Sequence, residues 1–186
     1  MNVLILILTV SKKPCLIRYK WRDAMKNLVV YSSKTGNTRK LAEAIYEYLP
    51  AEKEIYPINE APDPEDYTFV AVGFRIENGE PDQAAQEYLK KFIDEKELFL
   101  FATHASKPES EMVKAAMNKA KELAKRARIV GVFDCQGEVP EEVLEEARKQ
   151  QPVPEWVKDA EEAKGHPNKE DIDRLIKLLN SLDLPL

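Results

Sequence analysis

The run Phe69-Val70-Ala71-Val72-Gly73-Phe74 constrains this chain more than any other stretch. It is apolar throughout, with none of the alternation that marks a strand with one wet face. Such a strand is buried on both faces, as a parallel sheet requires. Leu98-Phe99-Leu100-Phe101-Ala102 has the same character, and Leu28-Val29-Val30 and Ile129-Val130-Gly131-Val132-Phe133 are shorter versions of it. Helical patterns separate these runs; Leu41, Ala44, Ile45 and Tyr48 fall on one face of the first. Strands that alternate with helices close right-handed crossovers, which gives a parallel sheet covered on both faces.

The spacing predicts strands at 27–31, 53–58, 69–74, 98–102 and 129–133, with helices at 37–49, 82–93 and 109–128 between them. The Pro/Asp segment 61–64 reads as a surface loop. After Pro140 the chain turns helical and charged, with helices predicted at 141–150, 155–164 and 168–181. Asn168 opens the last of these as a cap, followed by early acids Glu170 and Asp171.

Ligands of an open parallel sheet bind at the C-terminal ends of the strands, where the strand order reverses. There the first strand runs directly into Ser32-Ser33-Lys34-Thr35-Gly36-Asn37-Thr38 and then into a helix. The first amides of that helix have no partners inside it, and the helix dipole favours an anion at this end. The hydroxyls of Ser33, Thr35 and Thr38 add donors, and Gly36 allows close approach of the backbone. Ser, Thr and Asn also cap helices with no ligand. Three hydroxyls with Gly36 and Asn37, directly after a strand, favour a phosphate. The loop lacks the Gly-Lys-Ser/Thr ending of nucleoside-triphosphate loops and the spaced glycines of the dinucleotide fingerprint.

The segment Ser33-Lys34-Thr35-Gly36-Asn37-Thr38 resembles the flavodoxin phosphate loop, Ser/Thr-x-Thr-Gly-x-Thr. Cys135-Gln136-Gly137 and Gly165-His166-Pro167-Asn168 are similar to segments of short bacterial and archaeal flavodoxin-like proteins. The resemblance implies a flavodoxin-like three-layer sandwich: a five-stranded parallel sheet in the order 2-1-3-4-5, with helices on both faces. It implies FMN as cofactor and an electron-transfer role served by redox partner proteins, a reductase and an acceptor. It assigns the phosphate to Ser33, Lys34, Thr35, Gly36, Asn37 and Thr38, and the ring to the loops that follow Phe74 and Ala102. The ring candidates there are Phe74, Arg75, Thr103 and His104. The second loop carries Arg75 where a tryptophan is common in similar proteins, and the third has no Tyr or Trp. The resemblance also places the domain at 25–183, with Met25 as its expected start; residues 1–24 read as an N-terminal extension foreign to the native protein, with a membrane-touching arm as the alternative.

Composition narrows the alternatives. The chain has 186 residues, 44% hydrophobic and 33% charged, enough for one domain with a real core. Its net charge is −5, and the first 26 residues are basic, so the acidic excess lies in the domain. That disfavours nucleic acid and suits steering towards a basic protein. No apolar run is long enough to span a bilayer. Cys15 and Cys135 stand far apart, which fits a reducing, cytoplasmic setting. Two separated histidines and two cysteines make no metal site. No catalytic side chain is assigned, because a flavin carries its own chemistry. The reading favours a carrier over a stand-alone enzyme. The alternatives are an FMN-dependent NAD(P)H quinone or small-molecule reductase, which as a homodimer would complete its pocket, and a non-redox binding module on the same fold.

Overall fold

A computed structural model describes residues 26–50, 52–91, 96–182 and 184. The extension 1–24 and Met25 lie outside the described residues. Strands β1 (Asn27–Tyr31), β2 (Lys53–Pro57), β3 (Phe69–Glu77), β5 (Glu97–His104) and β6 (Arg128–Gln136) pair in parallel in the order β2-β1-β3-β5-β6. A two-residue strand, β4 (Glu80–Pro81), pairs antiparallel with the end of β3. Without β4, the five parallel strands follow the order 2-1-3-4-5; the sixth strand is absent from the sequence reading.

The helices are α1 (Asn37–Tyr48), α2 (Gln83–Leu89), α3 (Glu111–Leu123), α4 (Glu141–Arg148), α5 (Trp156–Asp159) and α6 (Lys169–Ser181). They divide the core into two layers. Val29, Ala71, Phe99 and Phe101 point to one face, where Leu41 and Ile45 of α1 and Leu175 and Leu179 of α6 meet them. Leu28, Val30, Val72 and Leu100 point to the other, against Leu89 of α2 and Val113 and Met117 of α3. Adjacent strand residues thus bury opposite faces, which is why the runs show no polar alternation. Each fully buried side chain of this size contributes about 1.5–3 kcal/mol. Gly73 stands beside Phe101 in the register, and a Cβ there would lie 2.1 Å from the Phe101 ring. The glycine is a seat for that ring.

Two elements differ from expectation for identifiable reasons. The chain turns at Asn78-Gly79, where both residues have positive φ (52° and 78°), so β3 extends to Glu77 and folds back as β4. The helix expected at 155–164 is helical only at Trp156–Asp159. Beyond it, tight three-residue bonds run from the Glu162, Lys164 and His166 amides to the Asp159, Glu161 and Ala163 carbonyls. Buried Ala160 and Ala163 hold those turns against the fold.

Candidate functional site

The loops after β1, β3, β5 and β6 open together at the C-terminal edge of the sheet. They enclose, with the α4–α5 segment, a cavity of about 710 Å³. That volume lies within the ~300–1,000 Å³ common for small-molecule and cofactor sites.

The first loop is built for its place. The Ser32 amide donates to the Gly73 carbonyl (2.8 Å), which holds the start of the loop beside β3. The Ser33 hydroxyl accepts the Gly36 N–H (3.1 Å), and Gly36 takes φ 91°, a conformation that favours glycine. The α1 helix then begins with no side-chain cap and no acid in its first turn. By contrast α2, α3 and α6 are capped by Asp82, Ser110 and Asn168. The first-turn amides of α1 are therefore available to an anion, at the positive end of the helix dipole.

Four side-chain hydrogen bonds fasten this loop to the others. Thr38 and Thr103 share a buried hydroxyl contact of 2.8 Å, joining the first and third loops. The Asn37 side-chain amide donates to the Glu138 carbonyl (2.8 Å), joining the first loop to the one after β6. The Ser32 hydroxyl donates to the buried Asp82 carboxylate (2.9 Å) and accepts from Arg75 Nη1 (2.7 Å), joining the first and second. The Gly137 N–H closes the ring of contacts by donating to the His104 carbonyl (2.9 Å).

Of the sequence candidates, Lys34, Thr35, Asn37, Arg75, Thr103 and His104 line the cavity. Ser33, Gly36 and Thr38 shape the loop behind it through the bonds just described. Phe74 is fully buried in the α2/α3 core and is not among the lining residues, because β3 turns it inward. Arg75 is less free than a solvated loop charge: Nε donates to Glu77 (2.7 Å), and the side chain is 30% exposed. His104 has little left for a ligand. Its Nδ1 donates to the Ser106 carbonyl (2.9 Å), and its Nε2 faces the Asp134 carboxylate at 3.2 Å.

Sequence reasoning missed Asp82, Glu138, Met112 and Trp156. Asp82 carried a signal, since an Asp directly before a helix is a cap. Trp156 carried none; only the tertiary fold brings α5 to the cavity. Cys135 is buried, and burial first, with Asp171 nearby, pushes its thiol well above the ordinary range. It serves as a small core side chain rather than a nucleophile. Among the described residues no cluster of His, Cys, Asp or Glu could hold a metal, and no helix is long and apolar enough to cross a membrane.

The chemistry of this donor set fits a phosphate-bearing planar cofactor. An uncapped helix start with hydroxyl, amide and lysine donors forms part of the cavity lining, and apolar side chains such as Ile76 and Met112 form another part. The chain is 31% identical over 160 residues to the flavodoxin-like domain-containing protein BilS of Clostridioides difficile (strain CD3), covering 80% of this chain and 90% of that protein. Its fold is similar to a short-chain flavodoxin associated with a PDU bacterial microcompartment (14% identity, TM-score 0.57, covering 84% of this chain and 95% of that one). It is likewise similar to a flavodoxin of Streptococcus pneumoniae TIGR4 (13% identity, TM-score 0.55, covering 83% and 94%). The flavodoxin domain family matches residues 28–180, the whole span from β1 through nearly all of α6, and the chain belongs to that family.

Proposed function

We propose that this protein binds FMN in the 710 Å³ cavity and carries electrons between partner proteins. The observation that carries the reading is the uncapped, hydroxyl-rich start of α1 beside that cavity. When bound, FMN accepts and donates electrons one or two at a time. The chain's own residues bind and orient it. Lys34, Thr35 and Asn37 hold the phosphate with the first-turn amides of α1, where charge-assisted hydrogen bonds are strongest. Thr38 and Thr103 fix the spacing between the phosphate loop and the third loop. Arg75, braced by Ser32 and Glu77, places a positive charge on the cavity wall. Glu77, Glu138 and Glu142 add negative charge to the lining and steer a basic partner towards it.

The test is a visible absorption spectrum of the purified full chain after FMN is added and the excess removed. Retained flavin bands are expected, with affinity reduced about tenfold or more in each of Thr35→Ala and Asn37→Ala, the scale of one hydrogen bond to a charged group. A colourless protein would sink the FMN reading and leave a non-redox module. Steady oxidation of NADH or NADPH by the flavin-loaded protein alone would replace the carrier with a reductase.

A further inference from the structure

The loops that flank the cavity bring charge and small side chains to it, but little flat apolar surface. Among the described lining residues there is no Phe or Tyr. The His104 side chain is 1% exposed and holds its two nitrogens inside the protein. One large aromatic does line the cavity, and it comes from the far end of the chain: Trp156, the first residue of α5. Its indole is half-buried. It stands with Val139, Pro140, Val143 and Pro154 in a mostly apolar wall contributed by the α4–α5 segment. A smaller cavity of about 310 Å³ adjoins the first and shares Val143 and Trp156, so the indole lies where the two meet.

The short helix that carries Trp156 is pinned to the third loop. The Asp159 carboxylate accepts the Lys107 N–H (3.0 Å). The Gln136 side-chain amide donates to the Asp159 carbonyl (3.3 Å). Buried Ala160 and Ala163 dock the turns that follow. A half-buried tryptophan on a braced element offers a rigid π-face to a planar ligand at small entropic cost.

Building on the FMN reading, we propose that Trp156 is the aromatic surface on which the flavin ring stacks, in place of the aromatic side chains that the second and third loops lack. An indole stacked on a flavin quenches its emission by donating an electron to the excited ring; phenylalanine and leucine do not. The experiment loads wild type, Trp156→Phe and Trp156→Leu with FMN and records retained absorbance, dissociation constant and flavin emission. Circular dichroism of each cofactor-free variant confirms folding. Wild type is expected to hold FMN with most of its emission quenched. Trp156→Phe, which keeps a flat ring, should bind within a few-fold of wild type but glow several-fold brighter. Trp156→Leu should brighten as much and bind about tenfold more weakly, the scale of one aromatic stack. Bound FMN as dim and as tight in both variants as in wild type would overturn this inference and leave the FMN reading standing. No retained flavin absorbance in wild type would overturn both.

Discussion

Gly137 and Asn37 show how one atom controls the cavity. A Cβ on Gly137 would lie 2.7 Å from Asn37 Nδ2 and 3.0 Å from its Cβ. The second contact involves the base of the side chain, so a rotamer change cannot relieve it; the loop or the first turn of α1 must move. That movement strains the Asn37–Glu138 bond, which joins the start of α1 to the loop after β6. Gly137→Ala is expected to weaken FMN binding about tenfold and to cost about 1–3 kcal/mol of stability, the usual range for overpacking. Calorimetric titration and urea melts of the variant would show it; affinity and midpoint equal to wild type would contradict the account. The glycine of Cys135-Gln136-Gly137 thereby gains a physical reason. In the sequence the motif was visible only as a resemblance, because the steric partner of Gly137 lies 100 residues upstream.

At the scale of elements, α6 is fastened by its first turn. Asn168 and Asp171 form a capping box, and the Asp171 carboxylate also meets His166 Nδ1 (2.6 Å) and Arg174 (2.6 Å). Burial works to raise the Asp171 carboxyl, but the Asn168 amide, Arg174 and His166 outweigh it and hold its pKa below the ordinary 3.8. A carboxyl depressed on folding stabilises the fold fully above its unfolded value, and that stability is lost as pH falls through the folded one. The urea midpoint of wild type should therefore exceed that of Asp171→Asn above about pH 5, with the gap closing below about pH 4. A gap as wide at pH 3 as at pH 7 would refute the assignment. This cap was readable in the sequence because Asn168, Glu170 and Asp171 act through neighbours along the chain. The β4 hairpin was readable too, since Asn-Gly is the strongest two-residue hairpin signal, but the run 75–82 read as loop. The truncated α5 was not readable: its limits follow from what Asp159, Ala160 and Ala163 touch elsewhere in the fold.

The molecule as a whole couples its stability to its ligand. Four loops, three buried or bridging hydrogen bonds and the α4–α5 wall surround one cavity, so binding there reinforces contacts between distant parts of the sheet edge. A ligand that binds only the folded state at about 100 times its dissociation constant adds about 2.7 kcal/mol. For a domain of this size that corresponds to a rise in Tm of about 5–11 °C. Thermal melts with and without FMN read this directly, and an unchanged Tm at saturating FMN would contradict binding to the folded protein. The parallel sheet followed from the apolar runs, because burial on both faces leaves a one-dimensional trace, whereas its strand order came only with the resemblance. The cavity wall did not, because Trp156 lines the same cavity as Thr35 and Arg75 only in the complete fold. This separation also sets an order of events during synthesis. The 33–38 loop is made first, while the wall that completes the cavity follows more than 100 residues later. A nascent chain therefore holds only part of the cavity lining until the α4–α5 segment is made, and on the proposed reading FMN loading follows that point.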